Sequence, residues 1–313
     1  MTKNLLIVMK LPKHPVALAF NNASSSSTTT TSSIARKALI ASWRQSQNHN
    51  EHYSYTFNAP PISSSTPTPP KPNRIITVRQ FQCGEQTGVG TGAVVWPAAQ
   101  ILMKYLEKLE STQSKAPTSV STRAIVLGCG TGIEGCVYSE ILSNRHRDKR
   151  HHVHNTDVGE VLKLTSENVS SYLATTTTTD PDDDLNNFNV ELSVGSYMWG
   201  EELTWVTDSA VPDDKTFDVI LVSDCILPKL YPIEPLVDAI AKLLSKARNG
   251  VCYVSYEHRL FAHNGEHFDP KLRFFELCAA AGLHVTTVAD EELDELYRMP
   301  GEVDVWVVQW VER

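Results

Sequence analysis

From Val94 onward the apolar residues of this chain change period in a regular way. Val95, Ala98, Ala99, Leu102, Leu106 and Leu109 recur every three or four positions, which predicts a helix over Trp96–Glu110 with Pro97 in its first turn. A short unbroken apolar run, Ala124–Leu127, then reads as a buried strand, and a helix is expected over Ile133–Leu142. His152–Thr156 is a weaker strand that ends at Asp157, and Val158, Val161, Leu162, Val169 and Leu173 return to helical spacing. Asn189–Val194 and Phe217–Ser223 are the next strands, and Ile233 to Leu244 carries a pronounced apolar stripe. Val251–Tyr256 reads as a strand, Lys271–Ala281 as a helix, and Leu283–Val288 and Val303–Val311 as closing strands. Strands that alternate with helices form βαβ units around a parallel sheet covered on both faces. The last two strands lack a long helix between them and are expected to pair antiparallel at one edge.

Upstream the pattern changes. Tyr53–Phe57 and Arg74–Gln82 alternate like strands around the Pro-rich stretch Pro60–Pro72, and are expected to pair as a hairpin with that stretch as its loop. Residues 1–50 contain no Asp or Glu, carry Lys3, Lys10, Lys13, Arg36, Lys37 and Arg44, and include the Ser/Thr tract Ser24–Ser33. An organellar transit peptide has that composition, and so does a low-complexity expansion; Thr175–Thr179 shows such a run in mid-domain. The division expected is an extension at 1–50, a hairpin at 51–92 and a main domain at 93–313. The expected location is cytoplasmic, with a plastid or mitochondrion as the alternative that the acid-poor start would imply.

Composition narrows the classes. With 313 residues and 41% hydrophobic content the chain can bury one sizeable core. A formal charge of −8 argues against a general nucleic-acid partner, and no apolar run approaches the roughly 18 residues that span a bilayer. The six cysteines form no C-x-x-C pair and mostly sit in apolar runs, so they read as core residues in a reducing compartment. Arg145–His154 contains four histidines but has no acidic or cysteine cluster at ligand spacing beside it, and no metal is expected. Asp180–Asp184 reads as a solvated loop.

Candidate chemistry gathers where strands end. AIVLGCGTGIEG (124–135) runs from a strand into Gly128, Gly130 and Gly132 and then a helix, the way a first parallel strand turns beneath a nucleotide-like cofactor. A dinucleotide fingerprint would want its third glycine at position 133, which is Ile. Asp157, at the end of the next strand, can accept both hydroxyls of a ribose or cap the helix that follows, and the two roles can coexist. Ser223–Asp224 ends the fourth strand, at the carboxyl edge where open α/β sheets bind ligands; a turn cap is the alternative for Asp224. Tyr256–Glu257–His258–Arg259 follows the fifth strand at the same edge, or is a solvated turn. Trp96 and Trp199 are either core or pocket residues.

Together these blocks resemble the seven-strand, S-adenosylmethionine-dependent methyltransferases, in particular the eukaryotic methyltransferase-like protein lysine methyltransferases. The resemblance covers roughly Tyr53–Arg313 through GAVVWPAAQILMKYLE (92–107), VLGCGTGIEG (126–135), NTDVGEVLKLTSENV (155–169), MWGEEL (198–203), FDVILVSDCIL (217–227) and YEHR (256–259). It implies a Rossmann-like α/β fold: seven strands, mostly parallel with an antiparallel C-terminal pair, helices on both faces, and the N-terminal hairpin. It implies S-adenosyl-L-methionine as cofactor, held by Trp96, Gly128, Gly130, Gly132, Asp157, Trp199 and Ser223, and a catalytic set of Asp224, Tyr256 and Glu257. Asp224 matches the first residue of the family's Asp-x-x-Tyr element, but the fourth position is Leu227. Either Tyr231 substitutes from the next turn or the target differs. The activity implied is methyl transfer to a lysine ε-amine of a protein substrate, by a monomer without nucleic-acid or membrane partners. A small-molecule methyltransferase, a catalytically silent cofactor-binding relative and a nicotinamide oxidoreductase are the alternatives.

Overall fold

The computed structural model describes residues 50–57, 74–81, 90–112, 121–145, 149–177, 189–203, 216–228, 230–259, 261–263 and 266–311. The Ser24–Ser33 tract, the Pro60–Pro72 stretch, Cys83 and the acidic run at 180–184 lie outside these residues.

Arg123–Leu127 (β3), His151–Asp157 (β4), Val190–Ser196 (β5), Val219–Ser223 (β6) and Val251–Glu257 (β7) are parallel, and Val303–Trp310 (β11) lies antiparallel to β7 with Leu283–Thr287 (β10) antiparallel beyond it. The seven-strand order is β10-β11-β7-β6-β3-β4-β5. Every residue of β3 is buried, as the middle strand of a sheet covered on both faces must be. The helices are Pro97–Thr112 (α1), Ile133–Arg145 (α2), Val161–Thr177 (α3), Ile233–Leu243 (α4) and Pro270–Ala280 (α5). Helix α4 buries Ile233, Leu236, Val237, Ala239, Ile240 and Leu243 and leaves Glu234 and Asp238 outside. Helix α5 starts sharply because Asp269 accepts the Lys271 N–H at 2.9 Å and Pro270 holds the first position.

The expected antiparallel pair is present, but only β10 holds the edge; β11 slots between it and β7. Burial explains the arrangement: Val303, Val305, Trp306 and Val308 are almost fully covered, while β10 buries little besides Leu283. Trp306 stacks on Tyr256 at 5.2 Å and on Phe274 at 5.6 Å, and meets Phe275 edge-on at 4.8 Å. Helix α3 starts at Val161 rather than Val158, so Asp157 lies too early to cap it. A second small hairpin, Phe261–His263 (β8) with Glu266–Phe268 (β9), was not expected, since three-residue strands are too short to show a period.

The N-terminal strands His52–Phe57 (β1) and Arg74–Arg79 (β2) pair antiparallel as expected. Tyr53, Tyr55, Phe57, Ile76 and Val78 point one way and are buried. Two residues of α1 fasten the hairpin: the buried Lys104 donates to the Thr56 carbonyl at 2.7 Å, and Tyr55 donates to Glu107 at 2.6 Å. On α3, Asn168 accepts the Arg79 N–H at 2.8 Å and donates to the carbonyls of Arg79 and Thr131, each at 2.9 Å. One buried amide thus ties the hairpin to the glycine-rich turn.

Among the described residues no helix is long and apolar enough to cross a membrane, and no His/Cys/Asp/Glu group could hold a metal ion. His151, His152 and His154 lie within β4, where His151 accepts the Thr122 N–H at 3.1 Å and His154 bonds Ser193 at 2.6 Å. Cys129, Cys136, Cys225, Cys252 and Cys278 are free and buried.

Asn168→Ala should lower the free energy of unfolding by about 2–3 kcal/mol, because buried backbone groups lose their partners. Urea titration checks this, and loss of hairpin amide protection in hydrogen exchange should accompany it.

Candidate active site

The chain builds β3, β4 and β5 outward, then crosses back to lay β6 on the other side of β3. The turns that leave β3 and β6 therefore diverge and open a crevice at the carboxyl ends of the strands. The glycine turn and the Ser223–Asp224 corner both fall there.

Gly128, Gly130 and Gly132 have φ of +69°, +52° and +81°. Space is as short as conformation. A Cβ on Gly128 would sit 2.6 Å from Cys225 Sγ and 3.3 Å from the Trp199 ring, and one on Gly130 would sit 2.8 Å from the Gly92 carbonyl. At Gly132 the obstacle is the Thr165 methyl, at 2.9 Å. The turn is tied down from α3 and β4: Thr165 donates to the Gly130 carbonyl at 2.6 Å, and the Cys129 N–H bonds the Thr156 carbonyl at 2.9 Å. Asp157 completes the clasp by accepting the Gly130 N–H at 2.8 Å and the Val158 N–H at 2.8 Å, one on each oxygen. Each oxygen keeps a lone pair for a ligand hydroxyl. Burial pushes the Asp157 carboxyl above its ordinary pKa, against the pull of both N–H bonds.

An aromatic wall stands over Gly128. Trp199 meets Tyr231 edge-on at 5.9 Å, and the Tyr231 hydroxyl pairs with Thr91. Trp96 donates its indole N–H to the Thr91 carbonyl at 2.8 Å. So Trp96 shapes the crevice through the short turn Gly90–Ala93, whose Gly92 presses on Gly130. Tyr231 lies near enough to Asp157 and Asp224 for both charges to act on its phenol, whose pKa is raised chiefly by burial. Tyr231 lies one turn after Leu227, and its N–H bonds the Leu227 carbonyl at 2.7 Å.

On the β6 side, Asp224 takes a left-handed φ of 54°, rare for a side-chain-bearing residue and costly unless its surroundings hold it. Its N–H bonds the Ser255 carbonyl at 2.9 Å, and its carboxylate accepts Arg259 through both terminal nitrogens, at 2.5 and 2.6 Å. The Glu257 backbone N–H donates to the same carboxylate. Arg259 also reaches Glu257 at 3.1 Å. Burial moves the Asp224 carboxyl upward and these donors pull it back. For Arg259, burial alone would weaken the proton's hold, but the bond and charge of Asp224 with the charge of Glu257 raise its pKa overall. The geometry is that of a two-pronged salt bridge.

One expected residue is turned away from the crevice. Tyr256 is fully buried and stacks on Trp306, because alternation along β7 turns it to the face opposite Ser255 and Glu257; burial pushes its phenol up to about 12. Ser223 is half-buried at the end of β6 and bonds the buried Glu134. Glu134, which is not among the expected site residues, opens α2 directly after the glycine turn, and its pKa is driven up to about 7 by burial. An acid in a first helical turn was the available signal.

The fold and crevice define the seven-strand class of S-adenosylmethionine-dependent methyltransferases. Residues 77–278 match the lysine methyltransferase family, and the chain belongs to it. Solved structures that this chain matches include the CurJ carbon methyltransferase, at 15% identity over 69% of this chain and 55% of that one, TM-score 0.43. An S-adenosylmethionine-dependent methyltransferase from Clostridium acetobutylicum matches at 10% identity over 62% and 85%, TM-score 0.36. The methyltransferase domain of bacterial CtHen1-C matches at 13% identity over 68% and 100%, TM-score 0.37. The chain spans about half the length of the CurJ structure.

Glu134 leads to a pH prediction. Its folded pKa of about 7 exceeds the ordinary 4.5, so the unfolded chain gives up this proton first and stability falls as pH rises from about 4.5 to about 7. Glu134→Gln should leave stability at pH 4 nearly unchanged and raise it at pH 8 by about 3 kcal/mol. Urea midpoints at the two pH values measure the difference.

Proposed function

We propose that the protein transfers a methyl group from S-adenosylmethionine to the side-chain amine of a lysine in a protein substrate. The observation that carries this reading is the opposition, across one switch-point crevice, of an Asp157-clasped glycine turn and the Asp224–Arg259–Glu257 cluster. The residues present suit the cofactor: a Cβ on Gly128 or Gly130 would collide with Cys225 or Gly92 and force the turn out of place, and Asp157 keeps lone pairs for the ribose diol. The membership of the lysine methyltransferase family supports the choice of acceptor.

When bound, S-adenosylmethionine supplies a methyl group already activated on a sulfonium. The chain's residues have to hold, align and desolvate. Gly128 exposes bare backbone to the ligand, Asp157 fixes the ribose, and Trp199 with Tyr231 walls the space above Gly128 and excludes water. Alignment is the main source of rate in such a displacement. The acceptor adds a proton problem. A lysine with a pKa of about 10.4 is neutral in roughly one molecule in two to three thousand at pH 7, a cost of about 4–5 kcal/mol. A carboxylate that held the ammonium would make this worse. Asp224, with three N–H donors already on it, positions Arg259 at the acceptor end and is not the amine's base.

Two outcomes test the reading. S-adenosylhomocysteine should bind in calorimetric titration; Gly128→Ala and Asp157→Ala should each weaken it at least tenfold, about 1.4 kcal/mol or more, with Gly128→Ala the larger loss. With methyl-labelled cofactor and a cell lysate, label should enter the protein fraction and appear as methyl-lysine after hydrolysis. Label on arginine, histidine or a metabolite would refute the lysine assignment.

A further inference from the structure

We infer, on the reading that the acceptor is an amine, that Arg259 is a specificity-determining residue: by occupying Asp224 and Glu257 it turns away a charged ammonium and admits the neutral amine. Asp224 receives two N–H bonds from Arg259 and one from the Glu257 backbone, and its side chain is only 4% exposed. It has almost no capacity left for another cation. Glu257 and Arg259 are 23% and 26% exposed, so these are the charges that an arriving side chain meets. The single contact between them, at 3.1 Å, is the looser part of the cluster.

The groups that act on Arg259 are Asp224 from the corner after β6, and Glu257 and Tyr256 from β7. Without Arg259 the two carboxylates would form a ready ammonium site, one that holds the proton on the nucleophile. With it, Asp224 is neutralised and Glu257 is engaged by a like charge that an arriving ammonium would have to displace. The amine therefore gives its proton to solvent before entry. Its lone pair then forms the N–C bond as the S–CH3 pair returns to sulfur, and the methylated ammonium that results is driven off by the same guanidinium.

The test compares n-butylammonium with its neutral isostere 1-butanol, titrated calorimetrically at pH 8 into full-length protein saturated with S-adenosylhomocysteine. Wild type should bind the alcohol at least fivefold more tightly than the ammonium, and Arg259→Lys, which keeps the charge, should do the same. Arg259→Gln should reverse the order and bind the ammonium at least tenfold more tightly than wild type does, and Glu257→Gln added to it should abolish the gain. A wild-type protein that fails to bind the alcohol, or binds the ammonium as well, overturns the inference, and this holds even where Arg259→Gln does not fold. A folded Arg259→Gln with no gain in ammonium binding overturns it too. Label recovered on arginine or a metabolite would defeat the lysine reading while leaving these preferences standing; methyl-lysine with unaltered preferences would defeat the role of Arg259 alone.

Discussion

The site depends on one hydrogen bond between a carboxylate and a backbone N–H, from Gly130 to Asp157. It joins the turn after β3 to the end of β4, two points far apart in sequence that the parallel register brings together. The turn can come so close only because its backbone is bare: Gly130 lies against Gly92 and Gly128 against Cys225 and Trp199. Asn168 and Thr165 of α3 then fix its far side. The N-terminal hairpin, which looks peripheral, is bound into this network through Asn168, and so into the geometry of the crevice.

The two halves of the crevice manage charge differently. Asp157 is a half-buried carboxylate with lone pairs to offer. Asp224 is a more deeply buried one whose lone pairs are already taken, in a backbone conformation held by the Ser255 carbonyl and Arg259. Glu134 lies below, kept from ordinary acidity by burial and bonded to Ser223. Three acids close in space thus have three environments. Of the three, Asp157 keeps the most free lone pairs, and at the β6 side the exposed charges are those of Glu257 and Arg259.

Much of this was legible in the order of residues. The change between periods of two and near four located the five main helices and all seven strands of the large sheet, since burial on one stripe or on both faces leaves that imprint. The glycines of 128–132 and the acid at 157 were legible because only bare backbone and a strand-end carboxylate suit such a turn. The hairpin β8–β9 was not legible, being too short for a period. The direction in which Tyr256 points was hidden as well: a residue at a strand end has no flanking alternation on its far side to reveal its face.

What the sequence by itself determined is the α/β class, the place of the glycine turn and the strand ends where the acidic residues stand, because each depends on local backbone needs and local burial. What only the tertiary structure decided is which side chains meet there. Arg259 lies 35 positions from Asp224, and Tyr231 140 from Thr91; such pairings are set by the parallel register of β6 and β7 and by the packing of the turns above them. No local rule encodes those partners, because the energy that selects them comes from burying both groups together.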